Sequence, residues 1–421
     1  MEPVIFPNDP QFWYETQRIL GHAAYGGSDT GEVLATAQQI VPGDYDSWHD
    51  QWLATAERIS ADAEASLVKG HLVTARDGFL RASTYYRSAE FFLHGRGEDA
   101  RIARAYERQV ESFRWAAALF DSPIEPVAIP YDDLSLNGYF YTAPGNGPRP
   151  TIVMHNGFDG SAEEMHFFGA AAALERGYNV LSFDGPGQPA ARHQHGLVFR
   201  PDWEHVVWQM LDWVLKQPEV DPARVALMGV SMGGYLAVRA AAFEQRLAAC
   251  IAIDGLYDLG EASVEHIPLP RAVAEDLLRA DEAPDLDAEI ERLMAVNPTA
   301  RWALSHGQWA MGVDSPRRFL ASYLDYTLAG GIAEQVRCPT AICEAEEDGF
   351  FDGQAREIYD HLVCPKRLFH FSSREGAGAH CHSGAQRLAF GRVYDWLDET
   401  LGYSQPLSIG GLLLEHPILA S

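Results

Sequence analysis

Gly229-Val230-Ser231-Met232-Gly233-Gly234 stands directly after the apolar run Val225–Met228 and directly before Tyr235-Leu236-Ala237-Val238-Arg239-Ala240, whose composition suits a helix. A strand, a tight turn carrying Gly-x-Ser-x-Gly and a helix, in that order, make a nucleophile elbow. Small residues flank the serine because strand and helix approach closely there, and the turn lifts Oγ clear at the helix N-terminus. A chain with 37 glycines can produce the hexapeptide by chance. Its setting makes Ser231 a candidate nucleophile.

A serine hydroxyl is a poor nucleophile near neutral pH, so a base and an orienting acid must follow, in the chain order Ser, Asp/Glu, His for this architecture. After the apolar run Thr340–Cys343 comes the acidic turn Glu344-Ala345-Glu346-Glu347-Asp348-Gly349-Phe350-Phe351. Asp348 is the candidate acid, because Asp-Gly offers a turn and its carboxylate is short; Glu346, Glu347 and Asp352 are the alternatives. After Arg367–Phe371 comes Glu375-Gly376-Ala377-Gly378-Ala379-His380-Cys381-His382, a Gly-rich loop able to bring an imidazole over the serine. His380 is the candidate base, and nothing in the sequence forbids His382 in its place. An oxyanion hole needs two backbone N–H groups. Met232 would give one, and Phe158, in the loop His155-Asn156-Gly157-Phe158-Asp159-Gly160-Ser161 after the run Thr151–Met154, the other. His155 reads as a histidine packed beneath that loop.

Outward from this centre, short apolar runs (Thr151–Met154, Asn179–Phe183, Val225–Met228, Cys250–Ile253, Thr340–Cys343, Arg367–Phe371) alternate with helix-length segments. That is the βαβ rhythm of a mostly parallel sheet flanked by helices. Strand-like Pro126–Tyr131 and Leu136–Thr142 precede it. Upstream, Leu72, Ala75, Phe79, Ala82, Tyr86, Ala89 and Leu93 recur at helical spacing, and so do Ile102, Tyr106, Val110, Phe113, Ala117 and Phe120. The Gly-punctuated stretch 94–97 separates the two, which suggests an αα-hairpin. We therefore expect an N-terminal helical domain at 1–121, a catalytic α/β domain at 122–402 with a helical lid inserted at about 256–335, and a tail at 403–421.

The chain has 421 residues, 47% of them hydrophobic, with 32 Lys+Arg against 59 Asp+Glu for a net charge of −27. Such a field disfavours nucleic acid and anionic lipid surfaces. The five cysteines include no CxxC pair and read as reduced thiols. No basic-then-apolar leader opens the sequence and no run of about 18 apolar residues occurs, so a cytoplasmic location is the default expectation. With no metal cluster, P-loop or dinucleotide fingerprint, no cofactor is expected. The expected partners are a small-molecule substrate and, through the amphipathic N-terminal helices, a second copy of the chain.

Four stretches carry a family resemblance: Phe183-Asp184-Gly185-Pro186-Gly187-Gln188, Arg200-Pro201-Asp202-Trp203-Glu204, Gly229-Val230-Ser231-Met232-Gly233-Gly234-Tyr235 and Glu375-Gly376-Ala377-Gly378-Ala379-His380-Cys381. The chain resembles the α/β-hydrolases, in particular the branch with N-terminal helices that includes 2,6-dihydroxypseudooxynicotine hydrolase and the fungal hydrolases that shorten heptaketide naphthopyrone pigments. That resemblance implies a triad at Ser231, Asp348 and His380 and an acyl-enzyme mechanism. It also implies an aromatic or polyketide-like ketone as substrate, cleaved at a C–C bond beside a carbonyl. An additional glutamate serves one member of the branch, and Glu261 stands nearest to its place here. Asp254 and Asp258 read as turn or capping residues after a strand. Carboxylesterase, acyl-peptide hydrolase and acyltransferase chemistry would use the same triad, and a non-catalytic ligand receptor could use the same scaffold. Trp302, Trp309, Phe319, Tyr323 and Tyr326, with Phe350 and Phe351, could line an apolar pocket or form the lid's own core.

Overall fold

The computed structural model describes residues 3–94, 99–122, 124–265 and 267–404. The expected stop at 94–97 and tail at 403–421 thus fall mostly outside the described residues. The chain opens with helices α1 (Pro10–His22), α2 (Thr30–Ala37), α3 (Tyr45–Val68), α4 (Leu72–Glu90) and α5 (Ala100–Ala117). Asp9, Asp29, Asp44 and Asp99 cap four of them by accepting backbone N–H bonds in the first turn. Their shared core is aromatic, with Phe12, Trp48, Trp52, Tyr85 and Phe92 buried together. From Ala82 to Glu90, α4 is buried on every side. Its charged residues there need partners.

One sheet follows, in the order β1-β2-β4-β3-β5-β6-β7-β8. Its strands are β1 (Ile124–Tyr131), β2 (Leu134–Tyr141), β3 (Arg149–His155), β4 (Asn179–Phe183), β5 (Val220–Val230), β6 (Ala249–Ile253), β7 (Thr340–Ala345) and β8 (Lys366–Phe371). β2 runs antiparallel to β1 and β4, and the remaining pairs are parallel. β4 and β6 are buried along their whole length, as strands covered on both faces must be. Pro126 and Pro130 sit in the edge strand β1, where a missing N–H is tolerated. β5 is longer than its apolar run because 220–224 extends it past the buried part.

Helices α6 (Ala170–Glu175), α7 (Pro189–His195), α8 (Glu204–Val214) and α9 (Met232–Phe243) are threaded between the strands up to β6. Between β6 and β7 lie α10 (Leu259–Val264), α11 (Arg271–Arg279), α12 (Pro284–Val296), α13 (Pro298–Met311) and α14 (Pro316–Tyr323), the stretch expected to form a lid. Proline opens each of the last three, where its missing N–H does no harm. α15 (Gln354–His361) and α16 (Gln386–Leu401) complete the chain. The N-terminal helices share a core with the sheet: Ala75, Phe79 and Phe113 pack in one buried cluster with Tyr139, Met154 and Phe168.

Candidate active site

The carboxyl ends of β5, β6, β7 and β8 come to one edge of the sheet, where open α/β sheets bind ligands. Ser231 leaves β5 at φ 60, ψ −129 and α9 begins at the next residue. A left-handed φ on a non-glycine residue is strain held by its surroundings. Gly229 is needed because a Cβ there would run into the Gly233 carbonyl. The turn is fastened by Ser231 N–H donating to Ile253 O at 2.8 Å.

Two further loops converge on it. Glu347 N–H donates to Gly378 O at 2.8 Å, and the Glu347–Ala379 bridge zips the loop after β7 to the loop after β8. The next residue of each, Asp348 and His380, therefore lie side by side. Asp348 Oδ1 accepts the N–H groups of Phe350 and Phe351 at 2.9 and 3.1 Å, while Oδ2 faces His380 Nδ1 at 3.0 Å. His380 Nε2 lies 2.8 Å from Ser231 Oγ. Burial opposes charge on both members of this pair. Their mutual attraction outweighs it, holding Asp348 below the usual carboxylate range and His380 well above the usual histidine range.

The other candidates lie elsewhere. His382 is fully buried against Phe371, its Nδ1 3.1 Å from Ala377 O, and burial pushes it down to about 3. Glu346 accepts the Ser373 N–H at the surface, and Asp352 is exposed. Glu347 holds its backbone bridge. Glu261 needs correction as the extra acid: it is exposed in the first turn of α10, accepts a bond from Gln354 Nε2 at 2.9 Å, and does not line the cavity beside Ser231. Its neighbours Ala262 and Ser263 do, because only that face of the short helix turns inward.

The carboxylate that sequence reasoning missed is Asp254, 1% exposed at the end of β6 with φ 53. Its Oδ2 stands 3.2 Å from His380 Nδ1 and accepts the Cys381 N–H. Asp254, His380 and Cys381 are close enough to share a metal ion. The imidazole is already engaged at both nitrogens, and burial holds the thiol protonated, up to about 11.

The loop after β3 lies against the elbow, with the Gly157 Cα so close that a Cβ would sit 2.6 Å from Val230 O and 2.8 Å from Met232 N. Met232 is the first residue of α9, so its N–H has no acceptor within the helix. Phe158 lines the same cavity as Ser231, and its carbonyl faces His306 Nε2 at 2.9 Å. The motifs behind the family resemblance brace this loop. Gln188 Nε2 donates to the carbonyls of Asn156 and Gly157, and Trp203 Nε1 donates to His155 Nε2 at 3.2 Å. His155 is accordingly a packed, neutral histidine, pushed down to about 4 by burial.

Helix α1 holds both loops. Tyr14 OH donates to His380 O at 3.3 Å and Gln17 Nε2 to Ser383 O at 2.8 Å. Arg18 binds Asp159 at 3.0 Å and Glu164 at 2.6 Å, and Arg87 of α4 binds Glu15 at 3.2 Å. Burial opposes ionisation of Asp159 and Glu164, but the two arginines keep both below the ordinary range. Burial raises Glu15, the third acid of the cluster, to about 7 against the pull of Arg18 and Arg87. Nothing in the local sequence shows that residues 14–18 reach this edge.

The loops, α1 and the helices between β6 and β7 line a cavity of about 780 Å³ that opens on Ser231 and His380. Tyr14, Phe158, Trp302, Phe319, Tyr323 and Phe350 supply aromatic wall. Trp309 and Tyr326, from the stretch expected to form a lid, do not line it.

These features and the match of residues 152–390 to the family described as "Alpha/beta hydrolase family" place the chain in the α/β-hydrolases, as an enzyme of the hydrolase class. Residues 11–259 also match "Esterase FrsA-like". Hydrolase LUC6 of Fusarium sp is 36% identical, over 94% of this chain and 98% of the relative. 20-hydroxy-prefusarin hydrolase FUS2 of Gibberella moniliformis is 36% identical, over 92% and 96%. Among solved structures, 2,6-dihydroxy-pseudo-oxynicotine hydrolase superposes with a TM-score of 0.71 over 93% of this chain and 99% of its own, at 22% identity, a likeness of fold. No helix among the described residues is long and apolar enough to cross a membrane.

Proposed function

We propose that Ser231, His380 and Asp348 form a catalytic triad that cleaves a C–C bond beside a carbonyl in a small aromatic or polyketide-like ketone of the 1,3-diketone type. The carrying observation is the hydrogen-bonded chain from Asp348 through His380 to Ser231 Oγ, ending in an aromatic-walled cavity. Ser231 Oγ adds to one carbonyl carbon as His380 Nε2 takes its proton. The oxygen of the adduct accepts the N–H groups of Met232 and Phe158. When the adduct collapses the C–C bond breaks, its electron pair passes into the enolate of the second carbonyl, and His380 returns the proton to the carbon. Water, deprotonated by His380, then releases the acid and frees Ser231. The cavity volume lies within the range of sites that enclose drug-sized molecules. The FUS2 relative, a hydrolase of 20-hydroxy-prefusarin by name, fits a site for an elaborate small molecule.

A plain carboxylesterase is the second reading, favoured by the match to esterase FrsA-like proteins. The two separate on a panel of aryl 1,3-diketones and aryl esters of equal size. Conversion of diketones to one acid and one ketone, with the higher kcat/KM, is expected. Turnover of the esters alone would reject C–C cleavage.

Gly157→Ala tests the oxyanion loop. The new Cβ would press on the backbone of the elbow, so the loop must retreat. Displacement on this scale is expected to slow fluorophosphonate labelling of Ser231 by about 100-fold, with a stability loss of about 1–3 kcal/mol that leaves the protein folded at assay temperature. Labelling at the wild-type rate would remove Phe158 from the hole.

A further inference from the structure

We propose that Asp254 is a positioning residue for His380: a neutral carboxylic acid whose proton lies toward His382 and whose other oxygen faces the base, so that it governs how readily His380 accepts a proton. This builds on the triad assigned above.

One imidazole N–H cannot serve two carboxylates equally, yet His380 Nδ1 has Asp348 Oδ2 at 3.0 Å and Asp254 Oδ2 at 3.2 Å. Two buried negative charges around one cation favour a shared proton. Asp348 is the ionised partner, with three N–H groups directed at its two oxygens. Asp254 differs, for its Oδ1 is buried without a hydrogen-bond partner, 3.7 Å from His382 Nε2, which is likewise buried and unpaired. His382 Nδ1 faces the Ala377 carbonyl and so carries that ring's hydrogen, leaving a lone pair on Nε2. Two acceptors facing each other at 3.7 Å repel and stay unsatisfied, whereas a proton on Asp254 Oδ1 turns the contact attractive and lets the two draw together into a hydrogen bond.

The remaining neighbours add no charge. Burial holds the thiols of Cys343 on β7 and Cys381 on the histidine loop protonated, and does the same for Tyr14, which faces His380 from α1. Burial, with the charge of Asp348, raises Asp254 itself to about 7, against the pull of His380. Ionised, Asp254 would add a second negative charge beside the imidazolium that Asp348 already favours, and His380 would take the Ser231 proton less readily. Neutral, it leaves His380 facing the charge of Asp348 without that addition.

The test is the pH dependence of Ser231 labelling by a fluorophosphonate in wild type, Asp254→Asn and Asp348→Asn. An asparagine amide can accept from Cys381 N–H and donate to His382 Nε2, copying the protonated acid. Wild type is expected to show two ionisations with a partial plateau between them, and Asp254→Asn a single one. The maximal rate of Asp254→Asn should fall no more than about tenfold, against about 10⁴-fold for Asp348→Asn. A single-step wild-type profile, or superimposable profiles for wild type and Asp254→Asn, would overturn the proposal. So would a loss in Asp254→Asn as deep as in Asp348→Asn, since charge would then be what Asp254 supplies. An undiminished rate in Asp348→Asn would count instead against the triad.

Discussion

Ser231→Ala is expected to lower turnover by about 10⁴-fold or more and to leave a protein that takes up no fluorophosphonate, while its folding is unchanged. The variant removes Oγ, the elbow atom that lies 2.8 Å from His380 Nε2. Triad members act as a unit, so losing one forfeits most of what all supply, and the residue comes from the oxyanion hole and binding. Ser231 does no packing that alanine could not replace, since its N–H, not its side chain, ties the elbow to β6. Intact-protein mass spectrometry and product analysis check both halves. Retained turnover would send the search for a nucleophile elsewhere in the cavity.

Arg18→Met is expected to be the most damaging change for stability, at about 3–5 kcal/mol. Methionine matches the stem's volume but leaves Asp159 and Glu164 buried with Arg87, whose nearest approach to either is 3.8 Å, as their remaining cation. Urea unfolding at neutral pH measures the loss. Its pH dependence follows from the direction of the shifts. Both carboxyls are held below their unfolded values, so their contribution is present above the ordinary carboxylate range and is lost as pH falls below that range through their lower folded-state values. The gap between wild type and variant should therefore narrow as the pH is taken below the ordinary carboxylate range. A constant gap would mean that the arginine acts through packing alone.

What the sequence disclosed was local or ordered along the chain. The elbow could be read because strand, turn and helix are contiguous, and the convergence of Asp348 and His380 on Ser231 could be expected because this architecture sets candidate acid and base after the serine in chain order. The parallel sheet was legible from runs such as Asn179–Phe183, buried along the whole of β4. Asp254 escaped because its meaning depends on His380 and His382, more than a hundred positions away, and next to a strand end an aspartate looks like a turn former. Glu261 misled for the opposite reason: nearness in sequence to the expected place says nothing about which face of α10 turns inward. The role of α1 was hidden too, although Glu15 and Arg18, one turn apart in a helix with an apolar face, were a signal that charges would be buried and paired.

Trp302 bears on how anything enters the cavity. It belongs to α13, yet its ring stacks on Phe91 at 5.0 Å and is buried with the aromatic cluster of the N-terminal helices. Lifting α13 would strip that ring and its neighbours of their contacts, on the order of several kcal/mol. α12, also part of the wall, buries only Ile290 among its described residues. The enclosure is thus hinged by energy rather than by sequence: thermal breathing that leaves α13 seated and displaces α12 is far less costly. Traffic of substrate and product, and the residence time of each, should answer to changes along Leu286, Ile290 and Leu293 before it answers to any change at Trp302.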